Sequence, residues 1–140
     1  MSRKVQDVLR VVPLFAHLQP KQLRRLADGM EEVRFMEGAS VVREGQPGDA
    51  FYVVVEGEAK VVNKDGRVIN RLRPGDSFGE ISLLDGGART ASVVSETPLV
   101  VLELKRTAFH RMLREEPGIA AKMLVHLASM LRRLDVSTGR

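Results

Sequence analysis

The hydrophobic and polar positions of the chain change their period twice. Apolar residues first recur at spacings of three and four residues: Val5, Val8, Leu9 and Val12. This spacing predicts a helix over residues 4–12, which Pro13 ends, because the residue before a proline is disfavoured in the α conformation. A second helix is predicted over residues 20–27, with Gly29 as its C-terminal stop.

From Glu31 onward, short apolar runs alternate with glycine turns. Seven strands are predicted, over residues 33–36, 40–43, 50–56, 58–63, 68–72, 90–95 and 98–104. Asp65-Gly66 lies between two valine-rich runs and is a good hairpin signal. Many short strands at this spacing indicate a jelly-roll or barrel.

The last third of the chain returns to a helical period. One helix is predicted from about Thr107, and a second from Glu115-Glu116-Pro117, whose acidic residues suit a helix N-terminus. Spacings of three and four place an apolar stripe on the second helix: Ile119, Met123, Leu127, Leu131 and Leu134. The ordinary interpretation of this stripe is core or homodimer packing, and an equally favoured one is a helix that switches between packing partners; both can hold. The fold class is therefore mainly β: an antiparallel β-roll flanked by helices.

Composition narrows the class of protein. The chain has 140 residues, of which 44% are apolar, as expected for one globular domain. It has no cysteine, which excludes disulfides and thiolate chemistry. No apolar run approaches the roughly 18 residues that span a bilayer, and no signal-peptide core follows the basic start. We therefore expect a soluble, cytoplasmic protein without membrane contact.

The net charge of +4 raises the question of a nucleic-acid partner. Basic residues recur in the N-terminal helices and near the C-terminus: Lys21, Arg24, Arg25, Arg132, Arg133 and Arg140. No aromatic residues interleave with them as stacking platforms. Solvated helix faces are the favoured interpretation, and nucleic acid is not an expected partner of this chain.

Residues 78–93 combine the elements of an anion site with a hydroxyl acceptor. Gly79 lacks a Cβ and allows close backbone approach, and a helical turn over residues 80–84 would offer free N–H groups to a phosphate. Arg89 follows Gly86-Gly87 and can hold a phosphate through two hydrogen bonds. Glu80 fits as the acceptor of a hydroxyl, so a sugar phosphate matches the stretch. The competing interpretation, a Glu80–Arg89 salt bridge in an empty fold, gives the glycines no purpose.

This stretch closely resembles the phosphate-binding cassette of cyclic-nucleotide-binding domains, of the regulatory-subunit and catabolite-activator type. Those domains carry Phe-Gly-Glu, a short apolar helix, and Arg followed by a small residue and Ala, as in Phe78-Gly79-Glu80 and Arg89-Thr90-Ala91. A second family motif stands in residues 44–57, and the resemblance extends over residues 14–131. Ala88 departs from the proline that many members have before the arginine.

The resemblance implies reversible binding of a cyclic nucleoside monophosphate without turnover. It assigns the ribose 2′-hydroxyl to Glu80 and the exocyclic phosphate oxygens to Arg89. Thr90 adds a hydroxyl, and members that respond to cGMP often have Thr at this position. We expect cAMP as a ligand, with cGMP competing well. The predicted ligand-binding set is Phe78, Gly79, Glu80, Ile81, Ser82, Ala88, Arg89 and Thr90, with the backbone N–H of Ala88 or Arg89 as one donor.

The resemblance also implies an organisation: a single domain over 1–140, with an N-terminal helical bundle (1–30), a β-roll (31–104) and two C-terminal helices (105–135). In the family the last helix can swing over the base, so an effector protein or domain is an expected partner. A second hypothesis is the ligand-sensing part of a transcription regulator, which would need a helix-turn-helix domain after the last helix. A third is a degenerate fold that acts only as an interaction or dimerisation module.

Enzymatic chemistry is not expected. His17, His110 and His126 fall in different predicted helices without a His-Glu-x-x-His spacing, so no metal site is predicted. No phosphate-binding Gly-x-x-x-x-Gly-Lys-Ser/Thr loop is present, and Ser82 lacks a nucleophile elbow. No cofactor and no catalytic residue are predicted.

Overall fold

A computed structural model describes residues 3–79 and 87–137, with side chains described over 5–79 and 87–134. Four α-helices are described: α1 (Arg3–Arg10), α2 (Pro20–Asp28), α3 (Arg106–Glu115) and α4 (Pro117–Ser137). Eight strands are described: β1 (Glu31–Phe35), β2 (Ser40–Val42), β3 (Ala50–Glu56), β4 (Ala59–Val62), β5 (Val68–Leu72), β6 (Ser77–Phe78), β7 (Ser92–Ser95) and β8 (Leu99–Lys105).

The strands form two four-stranded sheets in which all described pairs are antiparallel. One sheet has the order β1-β8-β3-β6 and the other β2-β7-β4-β5. Alternate residues of both sheets point into a shared apolar core, as expected when each sheet buries one face. The core residues are Ala50, Tyr52, Val54, Ala59, Leu72, Phe78, Val93, Leu99 and Val101. The predicted antiparallel β-roll with flanking helices is confirmed.

The Asp65-Gly66 hairpin is confirmed as well. It joins β4 to β5, and the Asn63 N–H donates to the Arg67 carbonyl at 3.0 Å. Gly66 has φ +81°, a conformation that side chains with a Cβ adopt only at a cost. The turn therefore needs this glycine, and the sequence states its position directly.

Several boundaries differ from the sequence-based predictions for local reasons. Strand β6 is only two residues long and was not predicted, because it offers no period to read. Met36 lies outside β1 and is 82% exposed, so the strand ends one residue before the apolar run does. A 3-10 helix over Pro13–Phe15 follows α1, and His17 lies in a turn, which corrects its placement in a helix.

The chain divides into two compact units, and the organisation as a single domain stays a prediction. One unit is the β-roll with the start of α3, Gly29–Phe109; the other contains residues 1–28 and 110–140. Within the second unit, the Gln22 side-chain oxygen accepts from the Gln19 N–H at 3.0 Å and from Lys122 Nζ at 2.9 Å. Gln22 thus ties the start of α2 to α4.

The apolar stripe of α4 has two environments. Ile119 and Met123 are buried at 0% and 3% exposure, whereas Leu131 and Leu134 are 64% and 59% exposed. The N-terminal half of the stripe therefore packs in the core of its unit. The C-terminal half faces solvent in the described chain.

Membrane spans and metal clusters are both absent from the described residues. None of the described helices is long and apolar enough to cross a membrane. Over the same ranges, no three His, Asp or Glu side chains lie close enough together to hold a metal ion.

Candidate functional site

Backbone hydrogen bonds bring the two sequence motifs together. The Arg89 N–H donates to the Gln46 carbonyl at 2.8 Å, and the Gly45 N–H donates to the Arg89 carbonyl at 2.9 Å. A third bond joins the Gly48 N–H to the Gly87 carbonyl at 3.0 Å. The loop before β3 therefore fixes the backbone that carries Arg89, which explains why the second motif accompanies the first.

Arg89 is a buried cation with a sparse described environment. Arg89 is only 7% exposed, and its Nη2 donates to the Ala50 carbonyl oxygen at 2.8 Å. The Ala50 carbonyl is the hydrogen-bond partner of the Arg89 side chain among the described residues, and no described carboxylate forms an ion pair with that side chain. Burial of a guanidinium favours an opposite charge beside it, and a bound anion can supply that charge.

Gly79 lies directly against this guanidinium. Its φ is +91°, and a Cβ built on it would lie 2.5 Å from Arg89 Nη1 and 2.9 Å from the Ala50 carbonyl oxygen. Contacts this short force neighbouring atoms to move. The sequence predicts that the absence of a Cβ at Gly79 admits a ligand. In the structure, the same absence makes room for the Arg89 guanidinium.

Two stacked aromatic rings belong to the surroundings of the site. The rings of Phe78 and Tyr52 have centroids 4.9 Å apart with an angle of 18° between their planes. The Arg89 Cζ lies 5.9 Å from the Tyr52 ring centroid, within the range of a cation–π contact. Phe78, the first residue of the predicted set, thus contacts Arg89's aromatic neighbour.

Sequence reasoning did not single out Tyr52 as a site residue. In the structure, Ala50, Tyr52 and Val54 share the inward face of β3 and belong to the core. Burial raises the pKa of the Tyr52 hydroxyl, and the neighbouring Glu103 carboxylate raises it further. Both effects favour the neutral phenol of Tyr52 over its phenolate.

The structure describes five of the eight predicted site residues. Phe78, Gly79 and Arg89 come together, while Ala88 and Thr90 beside them are exposed. Because the Arg89 N–H is engaged by Gln46, Ala88 is the remaining candidate of that pair for a ligand-facing N–H. The predictions for Glu80, Ile81, Ser82 and the helical turn over 80–84 lie outside the described residues.

A family model matches most of the chain. It is described as the cyclic nucleotide-binding domain and covers residues 32–116, which include the described strands from β2 to β8.

Curated relatives extend the match over more of the chain. A cAMP-dependent protein kinase regulatory subunit of Colletotrichum orbiculare is 38% identical over 118 residues, which cover 84% of this chain and 30% of the relative. A CRP-like cAMP-activated global transcriptional regulator of Mycobacterium tuberculosis is 31% identical over 135 residues, covering 94% of this chain and 60% of the relative. The chain thus spans less than two thirds of the length of either relative.

A solved structure matches along nearly its whole length. The N-terminal domain of a transcriptional regulator from Streptomyces coelicolor A3(2) superposes with a TM-score of 0.87 at 37% identity. The match covers 92% of this chain and 95% of that domain.

Proposed function

This chain belongs to the cyclic nucleotide-binding domain family, and from that premise we propose that it senses cAMP reversibly, with cGMP as a competing ligand. The observation that supports this most is the environment of Arg89. A guanidinium buried to 7% exposure, braced by Ala50 and Gly79, suits the single negative charge of a cyclic phosphate. The kinase and transcription relatives carry cAMP in their names, which favours cAMP over cGMP.

The proposed roles follow the chemistry of each group. Arg89 holds the exocyclic phosphate oxygens, and the Gly79, Ile81, Ser82 and Ala88 N–H groups add donors. Glu80 accepts from the ribose 2′-hydroxyl. Thr90 places a hydroxyl beside the phosphate, in keeping with its exposed position. Phe78 supports the site through its ring, which stacks on that of Tyr52.

Calorimetric titration of wild type and Arg89→Ala with cAMP and cGMP tests the assignment. A charge-assisted contact of this kind supports an expected loss of roughly ten- to hundredfold in affinity. Arg71→Ala is the matched control, because Arg71 is an exposed arginine paired with Glu96 at 3.0 Å. Equal affinities for wild type and a folded Arg89→Ala variant would overturn the cassette assignment.

We also propose that the domain has a regulatory role and does not chemically convert its ligand. The relatives named above are a kinase regulatory subunit and transcription regulators, so an effector protein or domain is the proposed partner. Chromatography of cAMP after prolonged incubation with the protein tests this, and conversion to AMP would contradict it. Cytoplasmic location stays a prediction from the sequence.

The third proposal is self-association through α4. Leu124 is 65% exposed, and Leu131, seven residues later on the same helix face, is 64% exposed. Val125, Met130 and Leu134 are exposed beside them. An apolar face of this kind suits a second copy of the helix.

A further inference from the structure

Resting on the proposed function, we infer that Tyr52 is a positioning residue of the phosphate site. Its ring holds the Arg89 guanidinium in the orientation that receives the cyclic phosphate. The role is indirect, because Tyr52 is assigned no contact with the nucleotide.

The inference begins with the freedom of an arginine side chain. Its long chain has many rotamers, and fixing it in one of them costs on the order of 2 kcal/mol. A site that fixes the guanidinium before the ligand arrives avoids this cost at binding. The described contacts of Arg89 therefore bear on how well its guanidinium is oriented before the ligand binds.

Three groups surround the guanidinium in the described residues. The Ala50 carbonyl accepts from Nη2 at 2.8 Å, and Gly79 leaves space beside Nη1. The Tyr52 ring is the third, 5.9 Å from Cζ. Ala50 and Gly79 act through the backbone, so Tyr52 supplies the side-chain contact that substitution can change.

Tyr52 is itself held firmly. It is 6% exposed, and its ring stacks on Phe78, the residue directly before Gly79. It also lies opposite Glu103 in the β3–β8 register. The Tyr52 ring therefore contacts both Phe78, at the end of β6, and the Arg89 guanidinium.

The test compares ligands that differ at one group. The ratio of the affinities for cAMP and for its uncharged methyl phosphotriester reports the Arg89–phosphate contact. The ratio for cAMP and 2′-deoxy-cAMP reports the ribose contact. We expect Tyr52→Leu to weaken cAMP binding about three- to thirtyfold and to shrink the first ratio accordingly, with the second ratio unchanged. Tyr52→Phe retains the ring and should stay within about threefold of wild type.

Controls separate positioning from general loss of packing. Val54→Ala truncates the same face of β3 two residues away, and it should lower stability without changing either ratio. If Tyr52→Leu does not fold, phenylalanines with increasing fluorination at position 52 keep the ring's shape and weaken its negative face. Affinity for cAMP should then fall stepwise, with that for the phosphotriester constant.

The outcomes distinguish this inference from the function on which it rests. If Arg89→Ala leaves cAMP binding intact, the proposed function fails. If Arg89→Ala weakens binding but the Tyr52 variants lower all three ligands equally, Tyr52 is only a core residue and the inference is overturned. Equal cAMP affinities along the fluorination series would overturn it as well.

Discussion

The position of the Arg89 guanidinium depends on residue 79 being a glycine. Nη1 of Arg89 occupies the space that a Cβ at residue 79 would need. The glycine also has φ +91°, a region in which an L side chain costs about 1–2 kcal/mol. Conformation and contact therefore both require glycine here, and a single substitution probes both.

We expect Gly79→Ala to lower stability by more than that backbone cost and to weaken cAMP binding, because the new methyl group displaces the guanidinium. Gly66→Ala is the matched control: Gly66 has φ +81°, but a Cβ there meets nothing within 4 Å. Urea unfolding of both variants isolates the contact from the backbone cost. Equal losses of stability, with cAMP binding intact in both, would show that Arg89 gives way freely.

Thr90 bears on the choice of base. It follows Arg89 directly and is exposed, so its hydroxyl is free to contact a ligand at the phosphate. When a guanine lies syn over the ribose, its 2-amino group can reach the same hydroxyl, and adenine has no such group. One hydrogen bond contributes about 0.5–1.5 kcal/mol, which corresponds to a bias of severalfold to about tenfold.

Thr90→Ala should therefore lose cGMP affinity selectively, as measured by titration of both nucleotides into both proteins. An equal loss for both ligands would assign the hydroxyl to the phosphate alone. No loss for either would make Thr90 an ordinary loop residue.

Among the elements, those with a clear local signal were predictable from sequence. Strand β3 is a continuous apolar run whose first five residues are all buried, and the Asp65-Gly66 turn is marked by its glycine with positive φ, so both could be placed within a residue or two. Strand β6 has two residues and the 3-10 helix three, too few for any period to emerge. Their positions depend on tertiary contacts that a single sequence does not state.

Helix α4 carries a buried histidine that lies near a second one. His126 is 8% exposed, and its ring centroid lies 6.4 Å from that of His17. Burial lowers the pKa of His126, and the positive charge of Arg133 and the nearby His17 lower it further. The folded protein thus favours the neutral imidazole more than the unfolded chain does.

The sign of the pH effect follows from this. Below an unfolded pKa of about 6.5, the unfolded chain takes up the proton first, so acid favours unfolding. The contribution is fully present above that value and is lost as the pH falls toward the lowered folded pKa, with a slope of at most about 1.4 kcal/mol per pH unit. Urea unfolding between pH 5 and 8, followed by helical circular dichroism, should show a shallower slope in His126→Gln and an intermediate one in His17→Gln. Identical slopes in all three proteins would exclude this contact as the source.

For the whole molecule, the sequence states the candidate phosphate-binding arginine more directly than the contacts that surround it. Arg89 stands in a motif of fixed spacing, and this spacing is why the sequence predicts a role for it. The hydrogen bonds from residues 45–48 to 87–89 and the ring of Tyr52 are contacts between distant segments. Nothing local in the sequence marks Tyr52 as different from any other buried aromatic residue of a strand.

The exposed face of α4 makes the largest-scale prediction. Leu124 and Leu131 are one heptad apart and more than 60% exposed, so two copies of the helix can bury them against each other. Complete burial of each leucine contributes about 1.5–3 kcal/mol, and a charge in its place would be desolvated without a partner. We therefore expect the protein to dimerise at high micromolar concentration, and Leu131→Glu to raise the dimer dissociation constant by at least about tenfold.

Val11→Glu is the control, since Val11 is an equally exposed apolar residue, at 65%, outside this helix. Sedimentation velocity with and without cAMP measures all three proteins. A monomeric wild type under both conditions would assign this face to a partner of another kind, and equal weakening by Val11→Glu would place the interface elsewhere.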